Sequence, residues 1–275
     1  MQTGRYTVDI VNVGTIYKDG GIEFAGLSKS EWSEYVIPDD NNRIPLGVNF
    51  LLIRGAKGNI VVDTGYGTTL DENRKKALNV KRMATMSELL KPHGISPEEI
   101  NYVVLTHLHF EHCGGASEYE DDDIVPAFKN AKYIIQKDEW ETVLSPGISA
   151  GECSVKNYLP LLESGNLSLI SGNVELLPGV FIEATGGHTM GHQIVFVEDT
   201  IEDLIYSGDI CPTLCHLSSA KREAFDSFPI ETVKIRKKLL CKASQNNCLF
   251  VFAHDLHGKF YRINEENNEF KAVEA

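Results

Sequence analysis

Tyr102-Val103-Val104-Leu105-Thr106-His107-Leu108-His109-Phe110-Glu111-His112-Cys113-Gly114-Gly115 is the stretch that decides the reading of this chain. Tyr102–Leu105 is a short apolar run between polar residues, which reads as a buried strand. Four metal-competent side chains, His107, His109, Glu111 and His112, lie within the six residues 107–112 just after it. A strand that ends in a loop can aim alternate side chains into one pocket at its tip. A short helix after the loop then presents Glu111 and His112 beside His107 and His109. Imidazole and carboxylate together suit zinc, iron or manganese. The competing reading is a polar loop with incidental histidines. It suits one histidine better than three with an acid at this spacing.

Working outward, the same pattern recurs. His188 lies in Gly186-Gly187-His188-Thr189-Met190-Gly191-His192. Asp209 follows the apolar run Leu204-Ile205-Tyr206, and His254 follows Leu249-Phe250-Val251-Phe252-Ala253. Each alone is a weak signal. Together they place a ligand-type residue at the end of an apolar run at several points along the chain.

Asp63-Thr64-Gly65, the 107–112 cluster, His188, Asp209 and His254 stand in the motif order of the metallo-β-lactamase superfamily, which this chain resembles from about residue 48 to 258. That order is an early aspartate, H-x-H-x-D-H, then a later His, Asp and His. The resemblance implies an α/β fold, the four-layer αββα sandwich, with its site at one edge of the sheets. It implies two divalent metal ions. His107, His109 and His188 hold the first, Glu111, His112 and His254 the second, and Asp209 bridges them. Zinc is the expected metal, and iron and manganese fit the same ligands. Asp63 corresponds to an aspartate that orients a ligand. The family usually has Asp where Glu111 stands, and the extra methylene puts the second metal in question. The alternative for Glu111 is a base acting through water.

The expected activity is hydrolysis in which a metal-bound hydroxide opens a lactone or similar ester, with Asp209 taking the proton and no Ser or Cys nucleophile. Arg43–Phe50 and Gly208–Thr213 resemble the lactonase-type, acyl-homoserine lactonase-like branch. A tyrosine found after the bridging aspartate in some of its members is missing among Cys211, Pro212, Thr213 and Leu214. A thioester hydrolase of the glyoxalase II type is the nearest alternative. Its usual basic helical extension is not seen, since the tail after His254 is acidic. A non-catalytic metal-binding or sensor protein is the alternative outside enzymes.

The remaining residues set bounds. With 275 residues, 42% hydrophobic and 24% charged, the composition is ordinary globular, and we read 1–275 as a single domain. A net charge of −13 disfavours nucleic acid and leaves a small-molecule substrate as the expected partner. The oligomeric state is not legible. No apolar run approaches the roughly 20 residues of a membrane span and no signal peptide is seen, so a cytoplasmic location and reduced cysteines are expected. Cys211 and Cys215 are read as incidental thiols.

Further elements follow from pattern. Val8–Val13, Phe50–Ile53, Ile60–Val62, Tyr133–Gln136, Leu167–Ile170, Val174–Leu177, Val180–Ala184 and Gln193–Glu198 read as strands. Phe260–Ile263 with Glu269–Ala272 reads as a closing hairpin. Met83–His93, Lys137–Leu144 and Ile230–Ala243 read as helices, and Val155–Ser164 as one interrupted near Pro160. Glu118–Asp123 reads as a solvated loop. Thr15–Pro45, with Phe24, Leu27, Trp32 and Tyr35, is expected to be a loop that partly covers the site, or else core packing by the same aromatics. His192, His216 and His257 are candidates for supporting or substrate-facing roles. His93 is placed at a helix end.

Overall fold

A strand covered on both faces reads as an unbroken apolar run. Ile60–Val62, Tyr102–Val104 and Tyr133–Ile135 are of this kind, and the computed structural model places them side by side in the middle of a sheet. The structure describes residues 1–145, 155–217 and 221–275. Cys153 lies outside them.

The strands in chain order are β1 (Tyr6–Asp19), β2 (Arg43–Gly55), β3 (Gly58–Val62), β4 (Tyr102–Val104), β5 (Ser117–Glu120), β6 (Asp123–Pro126), β7 (Lys132–Gln136), β8 (Leu167–Ile170), β9 (Val174–Leu177), β10 (Val180–Ala184), β11 (Gln193–Val197), β12 (Leu204–Tyr206), β13 (Leu249–Val251), β14 (Tyr261–Glu266) and β15 (Glu269–Glu274). The helices are α1 (Gly20–Glu23), α2 (Lys29–Trp32), α3 (Glu72–Ala77), α4 (Met86–Leu90), α5 (Phe110–Cys113), α6 (Lys137–Leu144), α7 (Val155–Glu163) and α8 (Pro229–Gln245). One sheet has the order β1-β2-β3-β4-β7-β8 and the other β15-β14-β13-β12-β11-β10-β9.

Alternation along the strands makes the layers. Val62, Val104 and Ile134 share an interior with Val195, Leu204, Tyr206, Leu249 and Val251 of the second sheet. Their neighbours Val61, Val103, Tyr133 and Ile135 pack with Leu89, Leu90, Trp140 and Leu161 from α4, α6 and α7. On the far side, Ile205, Phe250 and Phe252 pack with Leu239, Leu240 and Ala243 of α8. The result is helix, sheet, sheet, helix, the αββα sandwich expected from the resemblance. Each fully buried Val, Leu or Ile contributes about 1.5–3 kcal/mol relative to exposure.

Several local expectations need correction. α4 starts at Met86, three residues later than the periodicity predicts, because Thr85 caps it. Glu88 N donates to Thr85 Oγ1 at 3.2 Å, and Thr85 N donates to the Glu88 carboxylate at 2.9 Å. α7 continues through Pro160. The acidic 118–123 segment is the hairpin β5–β6, turning at Asp121-Asp122. The loop expected over Thr15–Pro45 is largely ordered into β1, α1, α2 and the start of β2, with Phe24 and Trp32 in the core. Tyr35 remains exposed.

The topology gathers strand ends at one edge. β3 and β4 are parallel, as are β12 and β13. Across the sandwich, Asn49 N donates to Ala253 O at 2.9 Å and Gln193 N to Thr106 O at 2.9 Å. These bonds bring the residues that follow β3, β4, β12 and β13 to a common rim. Among the described residues no helix is long and apolar enough to cross a membrane.

Candidate metal centre

Each sequence-selected residue reaches the rim by a local device. His107 leaves the end of β4. His109 occupies the N-cap position of α5 in extended backbone, so the chain turns and sends Glu111 and His112 back along the short helix. His188 follows two left-handed glycines, Gly186 (φ 62°) and Gly187 (φ 87°). Asp209 sits in a 3-10 turn after Gly208. A Cβ on that glycine would lie 2.6 Å from His192 Nε2, so no other residue lets the turn approach so closely. His254 follows β13.

The seven side chains converge in two groups. His107, His109, His188 and Asp209 form one, and Glu111, His112, Asp209 and His254 the other. Within each group the ligand-type atoms lie within 4.8 Å of one another. Asp209 belongs to both. Its Oδ2 lies 3.6 Å from His107 Nε2, 3.2 Å from His112 Nε2 and 3.5 Å from His188 Nε2, while Oδ1 lies 3.3 Å from His254 Nε2. His188 Nε2 and His109 Nδ1 are 3.1 Å apart.

These spacings test whether a metal fits. Four ligands at about 2.0–2.1 Å around a tetrahedral ion stand about 3.3–3.4 Å from one another. The observed separations bracket that value. Buried His107 Nε2, His254 Nε2 and Glu111 Oε2 also lack a hydrogen-bond partner within the protein. Orphaned buried acceptors cost about 1–3 kcal/mol each unless something occupies the space between them. The residues therefore fit a pair of divalent cations.

The outer ring nitrogens are held by partners. His107 Nδ1 lies 3.0 Å from Thr106 Oγ1, His112 Nδ1 2.8 Å from Asp63 Oδ2, His188 Nδ1 3.0 Å from Asp226 Oδ1, and His254 Nδ1 2.8 Å from Gly47 O. Such partners fix the ring orientation and turn the other nitrogen's lone pair inward. Asp63 is a hub. Its Oδ1 accepts from Thr106 N (2.8 Å) and Thr106 Oγ1 (2.9 Å), and its Oδ2 lies 2.9 Å from Tyr206 Oη. Its left-handed backbone, φ 63°, is the turn that brings it there.

Burial and charge set the protonation. Burial pushes His107 well below the usual histidine range and His109 down to about 3, leaving neutral donors. Burial opposes ionisation of Asp209, but His112 and His254 outweigh it and hold the carboxyl low. Glu111 is likewise held low against its burial, first by Lys18 and then by His112, His109 and His254. Burial works against a charged His112, yet Asp209 and Asp63 raise it well above the usual range.

The other histidines separate. His192 is buried and accepts from Asp209 N at 3.1 Å through Nε2, so it positions the shared aspartate. His216 is buried, stacks on Phe24 at 5.1 Å and lies 3.0 Å from Glu23 O. His216, His254 and His257 border an apolar cavity of about 170 Å³ with Phe24, Val36, Ile44, Leu46 and Leu256. His93 lies 3.8 Å from Asp9, away from the site. Cys211 is buried, and burial pushes its thiol up to about 12. It joins neither ligand group.

Residues not singled out in the sequence also shape the site. Glu139 accepts from Leu108 N (2.9 Å), Thr189 Oγ1 (2.6 Å) and Gly191 N (3.1 Å), tying the 107–112 loop to the 188–191 turn. Asp226 orients His188. Lys18, from β1, pairs with Glu111. Only the acidic or basic character of these residues is visible locally, and no spacing rule links them to the motif.

The metallo-beta-lactamase superfamily profile matches residues 43–254. The chain belongs to the metallo-β-lactamase superfamily. It is 30% identical over 192 residues to an N-acyl homoserine lactonase of Bacillus cereus, covering 65% of this chain and 68% of that one. It is 28% identical over 257 residues to the N-acyl homoserine lactonase AttM of Rhizobium johnstonii, covering 83% and 86%. Its fold matches the crystal structure of a probable metal-dependent hydrolase from Staphylococcus aureus with a TM-score of 0.90 and 27% identity, covering 100% of this chain and 99% of that one.

Proposed function

We propose that this chain is a dinuclear metal-dependent hydrolase that opens lactones, with N-acyl homoserine lactones as the substrate class. The convergence of six ligand-type residues around the shared carboxylate of Asp209 carries the reading. The similarity to lactonases supports the choice of substrate. Zinc is the proposed metal.

His107, His109 and His188 would hold one cation, Glu111, His112 and His254 the other, and Asp209 both. Bound there, two such ions supply Lewis acidity and lower the pKa of water to about 7. The residues of the chain do the positioning. Asp63, Thr106, Asp226 and Gly47 O fix four imidazoles, and His192 fixes the backbone of Asp209. Asp209, anionic as the carboxylate common to both positions, would accept the proton released as water adds to the ester carbonyl carbon. The carbonyl carbon–ring oxygen bond then breaks, and the leaving oxygen takes up that proton to give the hydroxy acid. Glu111, anionic beside Lys18, is the second carboxylate at the reaction centre. The apolar cavity beside His254 suits the acyl chain, with Phe24, Val36, Ile44, Leu46 and Leu256 as its walls.

Residues 1–275 are proposed as one domain, because both sheets share one continuous interior. A cytoplasmic location is supported by the five free cysteines among the described residues. The acidic balance of −13 supports a small-molecule substrate over nucleic acid.

The test is a panel of acyl-homoserine lactone, glutathione thioester and phosphodiester, each assayed before and after chelation and after zinc is restored. Lactone turnover that chelation removes and zinc restores is expected. Faster thioester turnover overturns the substrate choice, and tight metal binding without any turnover overturns the enzymatic reading.

A further inference from the structure

Glu111 differs from the other six ligand-type residues, because a lysine already holds it. The Lys18 side chain is 9% exposed, and its ammonium pairs with Glu111 Oε1. Glu23 Oε1 lies 3.8 Å from the same nitrogen. The rings of Phe110 and Phe225 border it at 6.0 and 5.7 Å. The other oxygen, Glu111 Oε2, is buried and has no hydrogen-bond partner. Glu111 is also grouped with His112, Asp209 and His254, its carboxylate within 4.8 Å of their ligand-type atoms. One carboxylate therefore serves both an ammonium pair and the second ligand group.

The two positions differ in ligand set, three imidazoles against two imidazoles and the Glu111 carboxylate, but each has an imidazole backed by an aspartate. Asp226 backs His188 in the first group, and Asp63 backs His112 in the second. Lys18 adds a direct ion pair to a ligand-type residue of the second group. A fixed positive charge in a buried region is poorly screened, so it opposes a nearby divalent cation more strongly than a surface charge does. A carboxylate shared with an ammonium also gives less of its charge to a metal.

We propose that Lys18 attenuates the second metal position by sharing Glu111, so that the chain fills its two positions in separate steps, the first tight and the second much weaker. Lys18 acts here as a positioning residue, working through Glu111. The inference rests on the two-cation reading of the site and not on the choice of lactone.

The experiment is a titration of the metal-free full-length chain with Zn²⁺ against a competing chelator, reading metal per chain and both dissociation constants. For the natural chain two steps are expected, the second at least tenfold weaker. His254→Ala should remove the second step and so identify it. Lys18→Met should tighten the second step at least tenfold and leave the first within threefold. Lys18→Arg, which keeps the charge, should keep the weak step. A second step that Lys18→Met leaves unchanged or weakens overturns the proposal, as does a chain that takes no second equivalent with or without Lys18. Turnover does not enter the readout, so failure of the lactonase reading would be seen separately in the substrate panel.

Discussion

Asp63→Asn isolates the part of the centre that is built before any metal binds. Asn adopts left-handed backbone more readily than most residues, so φ 63° at this position is retained and the change acts through the side chain. The Asn oxygen can still accept from Thr106 N and Thr106 Oγ1, which meet Oδ1 of the aspartate. The amide nitrogen that replaces Oδ2 cannot accept from His112 Nδ1 or Tyr206 Oη, at 2.8 and 2.9 Å. Two buried donors lose their acceptor, at about 1–3 kcal/mol each, so a loss of roughly 2–6 kcal/mol is expected. Tyr206 Oη also lies 2.9 Å from Asn49 O and can turn to it, which places the loss toward the lower end. His112 then loses its orienting partner, and metal affinity should fall about 10–100-fold. Denaturant unfolding of the metal-free chain reads the first effect, and chelator competition reads the second. A variant within 1 kcal/mol of the natural chain at every point, with metal affinity within threefold, would refute the reasoning.

Three other outcomes follow from the same geometry. His109→Ala should lower lactone hydrolysis by more than about 100-fold while the circular dichroism spectrum and unfolding midpoint stay near those of the natural chain. The residue sits at a helix N-cap on the rim and not in the core. Val36→Trp should fill the cavity beside His254 and shorten the preferred acyl chain. Each excluded methylene loses about 0.8 kcal/mol, or about fourfold in kcat/KM, which a chain-length series reads directly. The metal-free chain should lose stability as pH falls below about 6.5, because buried His107, His109 and His192 have depressed folded pKa values. Unfolding lets them take protons that the folded state refuses, so their contribution is present above about 6.5 and is lost on acidification. His112, raised by Asp209 and Asp63, works in the opposite sense only above about 6.5, and buried Glu23, Glu139 and Glu223, whose carboxyls burial pushes up, soften the loss toward acid. Urea unfolding from pH 8 to 5 measures the balance, and flat or rising stability toward acid would contradict it.

The strands that make the sandwich were legible because burial on both faces leaves an uninterrupted apolar run, as in Ile60–Val62 and Leu249–Val251. The ligand-type residues were legible because His107, Asp209 and His254 follow such runs closely and the rest cluster at motif spacing around His109 and His188. The supporting residues were not. Lys18 and Glu111 are 93 positions apart, and Asp226 meets His188 from a segment with no periodic pattern. Glu139 looks like any first-turn helix acid, although it ties two loops of the site together. Tyr206 looks like an ordinary strand aromatic, and only the packing of the two sheets puts its hydroxyl against Asp63. The β5–β6 hairpin was hidden because its exposed acids mask any alternation. The chain from Thr15 to Pro45 looked loop-like from its glycines and charges, yet β1 runs on to Asp19 by pairing with β2 as far as Arg43. Long-range contacts decided all but the hairpin, and local sequence carries little record of them.

Anomalous scattering at the zinc edge from crystals grown with saturating zinc tests the central claim most directly. The account predicts two peaks at the rim of the sandwich. One is bounded by His107, His109 and His188, the other by Glu111, His112 and His254, with the Asp209 carboxylate touching both. A single peak under saturation, or peaks away from these residues, would contradict it.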